Sequence, residues 1–423
     1  METSKNSKRH AELVSGSLVS TSPRFQEIAG QARNDGSATN RVFRSTLILI
    51  FLLLTCLQAY SQERIVINGE ETKEFKSDYT LIHSTQTHTE ESQEDLNVTE
   101  LILEHLADTY EWHIASFGHT HLAIPLPVIV KAKNGGWHIF SSSRFEHGHA
   151  AYKGFHISEY GDYKGKIVEQ DASGHETRPW DISLTKNACS LLISSVLLIF
   201  MILACARWYG KRQEKPDEIS PKGFIALVEM MITSIIDSVI KPCVGKSYKR
   251  YVPYLLTVFF FIFVNNLLGI IPLFPGGANV TGNIAVTCVL AICTFLIVNI
   301  FGTKEYWKEI LWPEVPLWLK APIPIMPAIE LVGIFTKPFA LMIRLFANIL
   351  AGHSIVLGLT CMIFLTVSLG PALNAGMSFL AVLMAIFISF IELLVAFIQA
   401  YVFTMLSAVF IGLSKVEPHH VKS

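Results

Sequence analysis

The sequence predicts an all-α polytopic membrane protein with a small α+β region on its N-terminal side. Hydrophobic residues make up 51% of the chain and charged residues 16%, and the mean hydropathy is +0.40. Apolar segments long enough to cross a bilayer recur from residue 188 onward, whereas the preceding region is polar. We expect about five membrane helices and one amphipathic helix at the membrane interface. The last two membrane helices should be long, tilted and antiparallel.

The chain divides into three predicted parts. Residues 1–61 comprise a polar lead and a signal peptide, because Arg41–Gln62 has a basic start, a short apolar core and a small-residue end. Residues 62–185 form a His-rich periplasmic region, and residues 186–423 form the membrane domain. Whether the signal peptide is cleaved, and which codon starts the chain, stay open. Membrane spans are predicted at 188–206, 254–273, 280–301, 324–366 and 373–414, with the interfacial helix at Pro221–Val244.

Lysine and arginine predict the orientation of these spans. If Gln62 lies outside, Arg207–Arg250 lies on the cytoplasmic side, and this segment carries nine lysines and arginines. The turns near residues 277 and 371 would lie outside, and both are uncharged. The C-terminus is therefore expected in the cytoplasm.

A formal net charge of −1 argues against nucleic acid as a partner.

The polar region before the first span contains many of the histidines. Two pairs have His-x-His spacing, His119 with His121 and His147 with His149. Such pairs could bind a transition metal, but scattered histidines of a polar domain are more often solvated, so we expect no metal site. From Thr99 a helical pattern (LILEHLADTYEW, ending at Trp112) leads into the strand-like runs HLAIPLPVIVKA and GWHIFSSSRF, which predicts the small α+β element.

Arg344 is the most informative residue, because it lies deep within a long apolar segment. An arginine at membrane depth costs about 3 kcal/mol on insertion scales and about 10 or more in simulations, so it should face protein or water. Snorkelling to the interface is the alternative, but Arg344 is far from both ends of the segment. Glu330 and Lys337 precede it at intervals of seven residues, which places all three on one side of a helix.

The polar residues of the last two segments align if the segments form an antiparallel hairpin. Glu392 and Gln399 are seven residues apart and share one face of the second segment. A turn at Gly370-Pro371 brings Arg344 level with Gln399 and His353 level with Glu392. His353 lies about 180° round the helix from Arg344, so the two should serve different environments.

A carboxylate beside an imidazole at membrane depth is open to two interpretations. Desolvation and mutual attraction shift the two pKa values in opposed directions, so the pair could relay a proton. Alternatively, the pair only fastens two helices together. The nearby Arg344 favours the relay.

The segments PFALMIRLFANILAGH and IELLVAFIQAYVFTMLSAVFI resemble subunit a of the F-type ATP synthase membrane sector. The resemblance covers about residues 100–415 and is most specific between residues 330 and 402. In that family an arginine faces the carboxylates of the rotating c-ring, and two offset half-channels lead protons to and from it. The resemblance implies the same fold and a proton-conducting role coupled to ATP synthesis.

The resemblance also assigns the site residues. Arg344 matches the essential arginine, Asn348 the asparagine one turn on, and Gln399 the glutamine of the final helix. His353 and Glu392 match positions where members carry one acid and one histidine, in either order. These residues would form the inlet and the centre of the proton path.

Other positions match the family less tightly. Glu330 matches an acid of the cytoplasmic half-channel, and Lys337 a lysine between that acid and the arginine. Some relatives carry an acid near Gly269, which this chain lacks. Its periplasmic inlet would then depend on other polar groups, with Asn265, Asn266 and Asn283 as weak candidates.

The implied protein is not catalytic alone and needs no cofactor or metal. Its expected partners are the c-ring, b-type peripheral stalk subunits and membrane lipid, in a bacterial inner membrane. Two other classes stay open: a cation/proton antiporter, which usually shows internal repeats and more spans, and a His-rich periplasmic metal-binding membrane protein. The sequence does not determine whether the ion is a proton or sodium, the size of the c-ring, or the direction of coupling.

Overall fold

The computed structural model describes residues 102, 107–117, 120–133, 135–148, 150–158, 161–170, 176–212, 221–271, 274–311 and 325–415. The predicted polar lead and signal peptide lie outside these residues. So do the front part of the His-rich region, His119 and His149. The described residues form a β-rich region followed by a helical domain.

The β-rich region contains three small antiparallel sheets. The sheets consist of β1 (Glu111–Phe117) with β2 (Thr120–Pro125); β3 (Pro127–Lys131) between β4 (Trp137–Ser141) and β8 (Trp180–Asp181); and β6 (Ile167–Gln170) between β5 (Phe155–Ile157) and β7 (Glu176–Thr177).

Alternation along β3 directs its valines into the core of this region. Val128 and Val130 are fully buried there and pack in one cluster with Phe145 and Phe155. The strand-like runs predicted from the sequence are thus present in β2, β3 and β4. The structure differs from the helical pattern predicted from Thr99: its last residues, Glu111 and Trp112, belong to β1, because pairing with β2 decides their conformation.

The membrane domain is helical. Each predicted span has a helix at its position, and the amphipathic stretch is also helical. The helices are α1 (Lys186–Arg212), α2 (Phe224–Ile235), a π-helical turn (Ile236–Ile240), α3 (Lys241–Val244), α4 (Tyr248–Ile270), α5 (Ile284–Ile300), α6 (Lys304–Leu311), α7 (Ile325–Leu365) and α8 (Pro371–Leu413).

Four helical runs of the described chain are long and apolar enough to cross a membrane. A fifth is obtained if α5 and α6, which meet at a bend of 100°, count as one span. The fold is therefore that of a multi-pass membrane protein. The expected position of α2 along the membrane interface stays a prediction, because α2 to α4 together also satisfy the length and hydropathy of a span.

Helices α7 and α8 form the predicted hairpin. The chain reverses at Gly370, whose φ of 104° suits glycine, and Pro371 begins α8. Both helices exceed 40 residues. Only 17% of the apolar stretch of each is buried, against 56% for the run Phe224–Ile270, so the hairpin leaves a broad apolar surface uncovered by this chain.

The other side of the hairpin packs closely on α3, α4 and α5. Gly412 of α8 lies directly against the backbone of α3, where an added Cβ would be 2.0 Å from Cys243 O. Asn266 of α4 donates from Nδ2 to Ala396 O of α8 at 3.2 Å. Thr281 Oγ1 in turn donates to Asn266 Oδ1 at 2.6 Å. These contacts fix the register of α8 against α4.

Candidate functional site

Helix α7 presents Arg344 and His353 on different sides. Arg344 and Asn348 are exposed, whereas Leu345 and Ile349, which follow each of them directly, are buried against the helical core. His353 lies on the inner side, toward α8 and α4. The predicted separation of Arg344 from His353 is therefore confirmed.

His353 and Glu392 meet between α7 and α8. Nδ1 of His353 lies 2.6 Å from Oε1 of Glu392, and the side chains are 16% and 7% exposed, respectively. The hairpin register predicted this pairing, and the structure confirms it. Because little water reaches the pair, the attraction between an imidazolium and the carboxylate is stronger than at a protein surface.

Two glycines shape the surroundings of this pair, and sequence reasoning missed this role for both. A Cβ on Gly352 would lie 3.1 Å from Glu392 Oε1, so the missing side chain lets the carboxylate reach the helix beside His353. A Cβ on Gly269 would lie 3.6 Å from His353 Nε2. The imidazole therefore has Glu392 at one nitrogen and the end of α4 at the other.

Arg344 has a different environment. Within the part of the chain that the structure describes, its guanidinium forms no ion pair and no hydrogen bond. Gln399 faces the inner side of α8 and is buried, so the residue predicted to lie level with Arg344 makes no hydrogen bond to it among the described residues. A cation at membrane depth on an uncovered surface requires an anion or water from outside the chain.

Glu330 and Lys337 lie between the N-terminal end of α7 and Arg344. Lys337 Nζ is 5.9 Å from the centre of the Phe410 ring, and Glu330 is near enough to Tyr306 to act electrostatically on its hydroxyl. Lys337, Tyr306 and Asn299 line a cavity of about 20 Å³, enough for one water molecule. Polar groups therefore continue from Glu330 toward the middle of α7.

The three asparagines named as weak candidates make different contacts. Asn283 caps α5, since its Oδ1 accepts a hydrogen bond from Ala285 N at 2.9 Å. Asn266 links helices, as described above. Asn265 donates to Phe261 O at 2.8 Å, while its buried Oδ1 has no hydrogen-bond partner among the described residues. Of the three, Asn265 alone keeps a free buried acceptor.

Metal ligands are not clustered in the described part of the chain. No group of three or more His, Cys, Asp or Glu side chains there is arranged to hold a metal ion. The histidine pairs of the sequence fall partly outside the described residues.

A multi-pass helical fold with an uncovered arginine and a buried acid–imidazole pair defines the class of membrane proteins that move ions. A family model described as ATP synthase A chain matches residues 190–412, more than half of the chain. The chain belongs to this family. The predicted identity, subunit a of an F-type ATP synthase, and its proton-conducting role agree with this membership, whereas the antiporter and metal-binding alternatives gain no support.

Curated relatives agree with the family. ATP synthase subunit a 2 of Chlorobaculum tepidum is 43% identical over 245 residues, which cover 56% of this chain and 65% of that protein. ATP synthase subunit a of Myxococcus xanthus is 42% identical over 248 residues, covering 57% and 75%. ATP synthase subunit a of Chloroherpeton thalassium is 38% identical over 253 residues, covering 58% and 70%. The matched part thus spans about two thirds to three quarters of these relatives.

The β-rich region has a separate match. A model of a domain of unknown function, DUF8433, covers residues 101–183. This region therefore recurs as a unit, with no activity attached to it.

Proposed function

We propose that this chain is the stator subunit that carries protons to and from the c-ring of an F-type ATP synthase, coupled to ATP synthesis. The observation that carries the proposal is Arg344, a guanidinium without a partner in the described chain, on the uncovered surface of the α7–α8 hairpin. A carboxylate on a neighbouring subunit is the group that this surface lacks.

The positive charge of Arg344 would keep a nearby carboxylate ionised. A unit charge about 4 Å from a carboxylate, at an effective dielectric constant near 20, stabilises the ionised form by about 4 kcal/mol, or roughly three pKa units. A passing c-ring carboxylate would therefore lose its proton opposite Arg344. Arginine suits this position better than lysine, because lysine can lose its own proton when it is desolvated.

The proton path uses both sides of the hairpin. Protons would enter through the periplasmic half-channel past the Glu392–His353 pair and Asn348, with Gln399 nearby, and load a c-ring carboxylate. After nearly a full turn of the ring, the carboxylate would release its proton toward the cytoplasm past Glu330. The cavity beside Lys337, which has room for water, would belong to this exit path.

The wider assignments follow from this role. The chain would act without catalysing a reaction alone, in a bacterial inner membrane, with b-type stalk subunits holding it against the ring. Its N-terminal side would be periplasmic and its C-terminus cytoplasmic. Residues 1–61 would be a lead and signal peptide, 62–185 a periplasmic region and 186–423 the membrane domain.

The test is ATP-driven acidification of inverted membrane vesicles, followed with a pH-sensitive dye. Arg344→Ala should abolish acidification while the complex stays assembled. Arg250→Ala is the matched control, because that guanidinium stacks on Phe301, 4.6 Å from the ring centre, and lies outside the hairpin. The control should keep pumping. Normal acidification by assembled Arg344→Ala complexes would refute the proposal.

A further inference from the structure

The sheet formed by β4, β3 and β8 has an exposed apolar face that the proton path does not use. Alternation directs Val128, Val130 and Asp181 inward, so the residues between them point outward. Trp137, Ile139 and Trp180 are 55%, 69% and 64% exposed. We call this surface the outward face; it consists of Ile129, Lys131, Trp137, Ile139, Trp180 and Ile182.

Strand pairing makes these side chains contiguous. Lys131 pairs with Trp137 on one side and with Trp180 on the other, which forms a row of two tryptophans with a lysine between them. Lys131 Nζ lies 5.9 Å from the centre of the Trp137 ring. Ile129 pairs with Ile139 in the next row. A small folded region seldom exposes such a patch to water without a binding role.

The outward face is close to the membrane along the chain. Trp180 and Asp181 form β8, and α1, the first span, begins at Lys186. The five residue steps from Asp181 to Lys186 can span at most about 18 Å, even when the chain is fully extended. The patch therefore cannot be far from the end of the first span.

Contacts with α1 and with the turn after α4 hold the β-rich region at that end. Asn187 N of α1 donates to Asp108 Oδ1 at 3.0 Å, just before β1. Trp112 of β1 packs edge-to-face on Phe274 in the turn after α4, with ring centres 5.1 Å apart. The region is thus attached to the membrane domain at two points and does not hang on a single linker.

We infer that the outward face lies on the lipid headgroup layer on this side of the membrane. Its composition fits that layer, because tryptophan is enriched at membrane interfaces, and a lysine there can keep its ammonium among phosphates. Tryptophan is also enriched at protein interfaces, but the central Lys131 fits a protein partner less well, since lysine is depleted from the centres of those interfaces. The contact would steady the β-rich region against the membrane beside α1.

The experiment places a photoreactive benzoylphenylalanine at Ile139 in the full complex in its native membrane. Ultraviolet irradiation and mass spectrometry then identify the attached molecule. Phospholipid adducts are expected at position 139. The matched control places benzoylphenylalanine at Lys164, an exposed position in a turn outside this sheet, where lipid adducts should be absent. Adducts to another protein subunit at position 139, or no excess of lipid adducts over position 164, would overturn the inference.

A second measurement covers the case in which the label disturbs the sheet. Phospholipids brominated near the headgroup quench tryptophan that touches them. Brominated lipid should quench a smaller fraction of the tryptophan fluorescence in the double variant Trp137→Phe/Trp180→Phe than in the wild type, because the two tryptophans that touch lipid are then missing. Wild-type and variant complexes that are quenched to the same fraction would count against the lipid contact.

Discussion

The two sides of the α7–α8 hairpin differ in whether their ionisable side chains have partners within the chain. On the inner side, His353 and Glu392 are 2.6 Å apart and largely buried. On the outer side, Arg344 is exposed and has no polar partner within the described residues. A buried pair finds its counter-charge within the chain, whereas a lone guanidinium at membrane depth is costly until another molecule supplies one. The inner side therefore places an acid beside a base within this chain, whereas the counter-charge for Arg344 on the outer side would have to come from another molecule.

This difference separates folding from transport. Changes on the inner side should affect the packing of the chain, the proton inlet, or both. Changes on the outer side should affect transport alone. Substitutions on the inner side and in the β-rich region should therefore change assembly, the proton inlet or local stability, each to a different extent.

Gly412→Ala should prevent stable assembly, because the new Cβ would lie 2.0 Å from a backbone oxygen, Cys243 O. Overpacking costs about 1–3 kcal/mol even where side chains can move, and a backbone atom moves less. Gly376→Ala on the same helix is the matched control, with nothing within 4 Å of the added Cβ. Subunit levels in purified complexes measure the effect. Equal assembly of both variants would show that the inner side is not tightly packed.

Glu392→Ala should abolish most ATP-driven acidification and weaken the hairpin. Breaking a buried ion pair by removing one partner typically costs about 3–5 kcal/mol. The exchange of His353→Glu with Glu392→His keeps an acid beside an imidazole and should recover much of the acidification. If the exchange is no better than the single variant, the pair does more than relay a proton between an acid and a base.

Gly352→Ala should slow proton transport while leaving the complex intact. The helix gains about 1 kcal/mol from replacing glycine by alanine. However, the Cβ would lie 3.1 Å from Glu392 Oε1 and push the carboxylate away from His353. The carboxylate would have to move by a few tenths of an ångström. Because a displacement of 1 Å can lower a rate by about 100-fold, we expect a loss smaller than that. Gly358→Ala, with nothing within 4 Å, is the control, and equal acidification rates in the two variants would contradict this account.

Asp108→Asn should have the smallest effect, confined to the β-rich region. Burial raises the pKa of the Asp108 carboxyl above 3.8, against the opposing effects of the hydrogen bond from Asn187 and of nearby lysines. The folded state thus holds a proton that the unfolded chain loses, so stability is greatest below the unfolded pKa and falls as pH rises through the folded one. Asparagine keeps the acceptor for Asn187 N without the charge.

Hydrogen exchange of the β3 amides, corrected for intrinsic rates, measures this pH effect. Protection in the wild type should decline from acidic toward neutral pH, and the variant should show a flatter profile. Identical profiles would mean that Asp108 does not titrate in a buried setting. Proton transport at neutral pH should be the same in both proteins.

The helices and the hairpin register could be predicted from the sequence. Apolar length marks a span, and polar residues on a helix recur with a known period, so the pairing of His353 with Glu392 followed from their distances to Gly370-Pro371. Arg344 was identifiable because a charge in an apolar run is rare. These features depend on spacing along one or two helices.

The remaining features depend on contacts between distant segments. Glycine carries no side chain to signal a role, so neither Gly352 beside Glu392 nor Gly269 beside His353 could be recognised. The start of β1 reads as helix until its pairing with β2 is known. The outward face could not be predicted either, since Trp137 and Trp180 are distant in sequence and meet only through Lys131 of β3.

A c-ring subunit should cover the outer side of the hairpin at Arg344. A photoreactive benzoylphenylalanine at Asn348, one turn from Arg344 and exposed, tests it in the full complex. The same label at Phe200, an exposed position of α1, is the control and should attach to lipid. The account predicts that position 348 attaches to the c subunit. Lipid adducts alone at position 348 would contradict it.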